Sequence, residues 1–193
     1  MDAANITYRL MLTISISALL SACAGAIDRA STARVESDLA VMEFNSIASK
    51  YMERPTFVQV SQLIGGPQIL LVEYDAYGMY SGYEKIYRAD QAVLINGYIN
   101  KYLEWAKEAS KHGDLIDKEI GMAKAMGGAP IRLSIYSASS ERHLLSVETC
   151  TLGICGEDKY VHYMDEKNAI KLSELLTSMA NNTLKTQPSG SYQ

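Results

Sequence analysis

The segment IRLSIYSASSERHLLSV, residues 131–147, contains the clearest folding pattern in the chain. Apolar residues alternate with polar ones over 131–136, and the alternation resumes at Leu145 and Val147. This period of two places one face of a strand in the core and the other toward solvent. Because the mostly polar residues 137–141 separate the two runs, the segment is expected to form a β-hairpin.

Two segments on either side of this hairpin have helical periodicity. Residues 89–112 place apolar side chains three or four positions apart, with Asp90 as the expected capping residue and Gly113 as the expected stop. Asp165 is expected to cap a final amphipathic helix. The apolar stripe of this final helix consists of Ala169, Leu172, Leu176 and Met179.

The region before residue 68 is less regular. Apolar residues between Val35 and Tyr51 recur near helical spacing and predict a helix that stops before Pro55. Residues 56–64 fit either a strand or a two-turn helix. We favour the helix, because the Gly65-Gly66-Pro67 sequence is typical of a helix end.

Further strands are predicted over residues 68–77, 116–121 and 160–164, with a loop over 122–130. The order of elements favours an α+β fold in which two to three helices pack on an antiparallel sheet of about four to five strands. Regular alternation of strand and helix is missing, so a doubly wound parallel sheet is disfavoured.

The composition is that of an ordinary globular protein. The chain has 193 residues, of which 48% are hydrophobic and 21% charged. With 18 basic and 22 acidic residues, its net charge is -4, which argues against nucleic acid as a partner. We expect a single domain over residues 34–180 and a polar, disordered tail over residues 181–193.

The first residues have the pattern of an export signal. Residues 10–20 form an uncharged, largely apolar stretch that follows Arg9. This stretch is too short to cross a bilayer, which takes about 20 residues, but it suits the apolar region of a secretory signal. The remaining alternative is a buried N-terminal helix in a cytosolic protein.

The sequence Leu20-Ser21-Ala22-Cys23 closes this segment and resembles the lipobox of bacterial lipoproteins. The resemblance implies that residues 1–22 are a cleaved signal peptide, that Cys23 carries the lipid, and that residues 23–33 form a tether. Ala24 after the cysteine implies sorting to the outer membrane, with the domain facing the periplasm. A chance cysteine after an ordinary signal peptide is the alternative.

A weaker resemblance concerns residues 56–77. A short helix, a Gly-Gly-Pro turn and a strand are similar to part of the small SmpA-like outer-membrane lipoproteins.

The two other cysteines, Cys150 and Cys155, are expected to form a disulfide in an oxidising compartment. His143 and His162 flank the pair, which raises zinc as an alternative. The spacings do not match the usual zinc ligand pairs, so we favour the bridge and expect no metal site.

The sequence offers no motif for a catalytic site or a cofactor. Gly-x-Ser-x-Gly, phosphate-binding loops and His-Glu-x-x-His are all absent. The one unusual feature is a run of tyrosines, in which Tyr77, Tyr80 and Tyr83 form a candidate binding surface. The alternative is that Tyr74 and Tyr87, at the ends of the run, pack in the core.

These features predict a membrane-anchored, non-catalytic lipoprotein of the cell envelope that binds an envelope protein or a peptidoglycan component. The alternative is an envelope hydrolase whose site has no recognisable motif. An exposed tyrosine patch would favour the first function, and a cleft that gathers His, Ser or Cys with a carboxylate would favour the second.

Overall fold

The computed structural model describes residues 26–75, 83–126, 129–151, 154–156 and 161–187, without the side chain of Tyr83. These ranges contain two α-helices, eleven strands and a short 3₁₀ turn over Ala89–Gln91. The strands are β1 (Ile27–Val35), β2 (Val41–Asn45), β3 (Lys50–Arg54), β4 (Thr56–Leu63), β5 (Gln68–Tyr74), β6 (Tyr83–Arg88), β7 (Asp117–Lys124), β8 (Pro130–Ser139), β9 (Arg142–Thr149), β10 (His162–Met164) and β11 (Thr186–Gln187). The helices are α1 (Ala92–His112) and α2 (Glu166–Ala180).

The strands form two antiparallel sheets rather than the single sheet expected from the sequence. Five strands lie in the order β11-β1-β4-β5-β6, and six in the order β3-β2-β10-β9-β8-β7. The α+β class is therefore confirmed, but the expected four to five strands were too few. The predicted hairpin is the β8–β9 pair, in which Leu133 lies opposite Val147.

The helices lie against the inner faces of the sheets. Helix α1 packs on β7, β8 and β9, whereas α2 packs on α1, on β9 and β10, and on β5 of the other sheet. One continuous core therefore joins both helices and both sheets, with the fully buried Ile95, Leu133 and Leu172 among its members. Gly121 lets Tyr98 of α1 approach β7, because a Cβ there would lie 2.4 Å from the tyrosine ring.

Both predicted helices of the second half are confirmed, with one difference at a cap. The Asp165 carboxylate accepts a hydrogen bond from the Asn168 backbone amide at 2.9 Å, as expected of an N-cap. Asp90 instead forms an ion pair with Arg88 and does not cap α1. Gly113 ends α1 in the left-handed conformation that glycine adopts without strain.

The helix predicted between Val35 and Tyr51 is wrong, because this region forms strands β2 and β3. Val41 faces the inner core, whereas Phe44 lies on the outer face opposite Tyr51. A strand with apolar residues on both faces loses its alternation, and its spacing then resembles that of a helix.

The helix favoured over residues 56–64 is also wrong, because β4 occupies them. Val58 and Val60 point into the core, as the strand alternative required. Gly65 adopts a positive φ in the β4–β5 turn instead of ending a helix. The helix, turn and strand that carried the resemblance to SmpA-like lipoproteins are therefore a strand, a turn and a strand.

Ordered structure extends into both segments that we expected to be irregular. Strand β1 begins at Ile27, inside the predicted tether, and pairs with β4. In the predicted tail, Thr186 and Gln187 pair with Val35 and Arg34. Backbone hydrogen bonds to neighbouring strands order these polar stretches, which have too few apolar residues to indicate a strand.

Candidate functional site

The outer face of the six-stranded sheet carries a cluster of aromatic side chains. Outward positions on four strands supply them, because each strand directs alternate residues away from the helices. Phe44 and Tyr51 are cross-strand partners on β2 and β3. Tyr136 on β8 lies opposite the fully buried Leu144, and Tyr163 on β10 lies between Met42 and Ser146.

Tyr51 lies at the centre of this cluster. Its ring centroid is 5.0 Å from that of Tyr163, 5.3 Å from that of Phe44 and 6.2 Å from that of Tyr136. All three contacts are edge-to-face, and such aromatic pairs contribute about 0.5 to 1.5 kcal/mol each beyond their buried area. The rings therefore hold one another in a fixed arrangement before any ligand arrives.

The central hydroxyl groups are kept in their protonated form. Burial raises the pKa of Tyr51 above its ordinary value, and the neighbouring Tyr163 and Tyr136 raise it further. Burial also raises the pKa of Tyr163. Both phenols therefore remain neutral hydrogen-bonding groups, able to donate as well as accept.

These rings line a groove of about 490 Å³, which we call the aromatic groove. Its described lining contains no acidic residue but includes the cations Lys50 and Arg142. An Nη atom of Arg142 lies 3.7 Å from the Met42 sulfur, and among the described residues no carboxylate pairs with either cation. The groove is lined by Phe44, Ser49, Lys50, Tyr51, Tyr136, Ala138, Ser139, Arg142 and Tyr163.

The residues predicted as a lipid site and a binding surface are not placed by the structure. Cys23, Tyr77 and Tyr80 lie outside the described residues, as does the side chain of Tyr83. The ends of the tyrosine run are placed, and both belong to the core: Tyr74 is 2% exposed and Tyr87 is fully buried. The alternative interpretation is thus correct for these two residues.

The predicted disulfide between Cys150 and Cys155 is confirmed. Within the loop it closes, Thr151 and Ile154 exchange backbone hydrogen bonds, and the Cys150 amide donates to the Pro130 carbonyl at 2.8 Å. The bridge thereby fastens the segment after β9 to the start of β8. It also engages both sulfurs that the zinc alternative required as ligands.

The two histidines near this bridge lie in separate environments. The buried His162 packs its ring edge-on against Tyr74, with the centroids 4.9 Å apart. His143 is 4% exposed, and its Nδ1 lies 2.7 Å from the Ser137 hydroxyl oxygen. Nowhere in the described ranges do three His, Cys, Asp or Glu side chains meet in a way that could hold a metal ion.

The Ser137–His143 pair bears on the hydrolase alternative. A serine nucleophile needs a histidine base oriented by a third group, and it needs access to a substrate. The Ile116 amide already donates to the Ser137 hydroxyl at 2.8 Å, and the other ring nitrogen of His143 has no hydrogen-bond partner in the described part of the chain. The pair therefore has the geometry of a cross-strand contact in the β8–β9 hairpin.

The aromatic groove is not apparent from the sequence. Tyr136 occupies a polar-side position of a correctly predicted strand, which marked one member of the cluster. The spacing of apolar residues around Tyr51 predicts a helix, and nothing in the sequence pairs β10 with β2. The groove is therefore visible only once the strand order is known.

Comparison with protein-family models, with curated protein sequences and with solved structures finds no match. In the parts of the chain that the structure describes, neither helix combines the length and apolar character needed to cross a membrane.

Proposed function

We propose that the protein is a lipid-anchored, non-catalytic component of the bacterial cell envelope that binds a cell-wall component or an envelope protein. The observation that carries this proposal is the Leu20-Ser21-Ala22-Cys23 sequence at the end of an uncharged stretch. Acylation of Cys23 and cleavage before it would leave the domain attached through its own N-terminus. Ala24 favours the outer membrane, with the domain in the periplasm.

The Cys150–Cys155 disulfide supports an oxidising compartment. Disulfides persist in the periplasm and outside the cell, whereas the cytosol keeps most thiols reduced. The bridge and the leader are separate features of the chain, and both are consistent with export.

The distance from Cys23 to β1 sets how far the domain can lie from the membrane. β1 begins at Ile27, four positions after the cysteine. Four extended residues span at most roughly 14 Å, so the β1 end of the fold would lie next to the lipid headgroups. Two or more acyl chains would make this attachment stable, since a single chain binds only reversibly.

The experiment that tests the anchor is labelling of growing cells with radioactive palmitate. We expect the full chain to take up label and Cys23→Ser to take up none. The matched control is the double variant Cys150→Ser, Cys155→Ser, which should keep the label because only Cys23 lies at the cleavage site. Label retained by Cys23→Ser, or an intact leader in the purified protein, would contradict the anchor.

The binding role is supported by the aromatic groove, which has the aromatic lining of a recognition surface. The tyrosine run remains a second, predicted surface. Crosslinking in intact cells should separate the two. If the run is used, changing Tyr77, Tyr80 and Tyr83 to Ala removes the crosslinks, and if the groove is used, Phe44→Ala removes them.

A further inference from the structure

Building on the proposed envelope location, on which this step rests, we propose that the aromatic groove binds an acidic sugar of the cell-wall glycan at units whose carboxylate is free of attached peptide. The sugar ring would lie against the aromatic side chains, and its carboxylate would pair with Lys50 and Arg142. The observation behind the proposal is the juxtaposition of four aromatic rings with two cations that have no acidic partner in the described structure.

The aromatic rings are suited to contact a sugar ring. A sugar ring has apolar C–H faces and a rim of hydroxyl groups, and tyrosine offers an apolar ring with a polar tip. Phe44 is 52% exposed, so its ring is available to a ligand. The Tyr51 and Tyr163 hydroxyls remain protonated and can exchange hydrogen bonds with sugar hydroxyls.

The cations are suited to bind the acidic group of the sugar. Arginine donates two parallel hydrogen bonds to a carboxylate, and lysine adds a compact positive charge. Arg142 extends from β9 onto the outer face, where its guanidinium contacts Met42, and Lys50, next to Tyr51 on the edge strand β3, also lines the groove. The described lining of the groove has two cations and no acid, whereas Asp117 and Glu148, which act on Tyr163 from the same face, lie outside this lining, and Glu148 is paired with Arg132.

The size of the groove favours a small unit over a protein surface. Small-molecule sites enclose about 300 to 1,000 Å³, and the groove has about 490 Å³. A stable protein interface takes about 20 to 30 residues on each side, whereas the described lining of the groove has nine. A glycan strand can place one or two sugar units in such a groove while the rest of the strand passes by.

The test compares two disaccharides that differ in one acidic group. N-acetylglucosaminyl-N-acetylmuramic acid carries a carboxylate on a lactyl ether, and di-N-acetylchitobiose has the same rings without it. We would titrate both, by calorimetry, into the full acylated chain in detergent micelles. We expect the acidic disaccharide to bind at least roughly tenfold more tightly, an advantage that should shrink as NaCl is raised.

Variants of the cations locate the binding. Lys50→Gln with Arg142→Gln should abolish the preference for the acidic disaccharide, whereas Lys111→Gln, on the exposed surface of α1, should preserve it. Phe44→Leu should weaken the binding of both disaccharides, because it removes an aromatic ring against which either sugar would lie. All these positions lie outside the inner core, and circular dichroism would verify that each variant is folded.

Three results would overturn the proposal: equal affinity for the two disaccharides, no binding of either, or tighter binding of a sugar phosphate such as glucose 1-phosphate. The same protein preparations would be checked for palmitate on Cys23. Acylated protein without glycan binding would refute the groove assignment alone, whereas unacylated protein would refute the anchor.

Discussion

The outer faces of the two sheets follow the same alternation rule but have different surfaces. On the five-stranded sheet, Leu63, Ile69 and Leu71 form a small closed cluster that Met126 packs against. On the six-stranded sheet, aromatic rings at the equivalent outward positions stay partly exposed around an open groove. The contrast shows that outward apolar side chains form a second core where other residues cover them, and a candidate site where they stay exposed.

The two faces also differ in charge. Glu73 and Glu84 are directly opposite each other on β5 and β6, at the outer face of the five-stranded sheet. The aromatic groove carries Lys50 and Arg142. A ligand with an acidic group would therefore meet two carboxylates beside Arg29 on one face and two cations without a described acidic partner on the other.

The largest effect is expected from truncating the closed cluster. Ile69→Ala should lower the free energy of unfolding by about 2 to 5 kcal/mol, since it leaves a cavity in a fully buried position. Phe44→Ala, on the open face, should cost only about 1 kcal/mol, mainly the lost edge contact with Tyr51. Urea unfolding of both variants measures the difference. Equal losses would mean that the aromatic cluster is a core and not a groove.

The next largest effect is expected from removing the disulfide that follows β9. Replacing both Cys150 and Cys155 by Ala should lower the free energy of unfolding by about 2 kcal/mol, because a short closed loop restricts the unfolded chain. Denaturant unfolding with and without dithiothreitol measures this loss. The reductant should destabilise the unchanged protein and leave the double variant unaffected. A protein insensitive to reductant would show that the bridge is absent or contributes nothing.

Two buried tyrosines, Tyr102 on α1 and Tyr87 on β6, differ in whether the hydroxyl group has a hydrogen-bond partner. The Tyr102 hydroxyl donates to the His143 carbonyl of β9 at 2.9 Å, whereas that of Tyr87 on β6 has no partner in the described structure. Tyr102→Phe should therefore cost about 1 kcal/mol, and Tyr87→Phe should stabilise the fold by about 1 kcal/mol. Thermal unfolding of the two single variants gives the signs. A loss at Tyr87 as large as that at Tyr102 would reveal a hidden partner for its hydroxyl.

The smallest effect is a pH dependence of the acidic face. Burial raises the pKa of Glu84 above 4.5, and the facing Glu73 raises it further, against the opposing charge of Arg29. Since ionisation is harder in the folded protein, stability from this group is present below about pH 4.5 and is lost as the pH rises through the raised pKa. Glu84→Gln should therefore stabilise the fold at pH 7 by less than about 1 kcal/mol, because the site is partly solvated.

The advantage of Glu84→Gln over the unchanged chain should disappear as the pH falls below 4.5, as followed by denaturant unfolding at several pH values. Glu104→Gln, on the exposed side of α1, is the control. A gain that is independent of pH would refute the assignment to Glu84 ionisation.

The sequence predicted elements whose signals are local. The β8–β9 hairpin has a regular alternation of apolar and polar residues, and α2 has both a cap and an apolar stripe. Cys150 and Cys155 are close enough along the chain to pair with each other. Strands β2 and β3 were predicted as a helix because apolar residues lie on both of their faces and because β2 also pairs with β10, far away in the chain. Tyr163 of β10 pairs with Met42, more than a hundred residues earlier, and no local pattern carries that information.

The candidate site was predictable only in kind. The sequence points to tyrosine as a candidate recognition residue, but at the run around Tyr80, where tyrosines are concentrated. The aromatic groove draws Tyr51, Tyr136 and Tyr163 from three separate strands, so its formation depends on sheet order. Asp90 illustrates the same limit at short range, because the competing ion pair with Arg88 displaced the expected cap.

Strand β11 protects part of one edge of the five-stranded sheet. Thr186 and Gln187 cover part of the β1 edge, so residues that are synthesised long after β1 complete the border of the sheet. A chain that stops at Lys185, through early termination or trimming by a protease, would expose those backbone donors and acceptors of β1. Uncovered edges of this kind pair with other chains, so the shortened protein should be prone to self-association and aggregation.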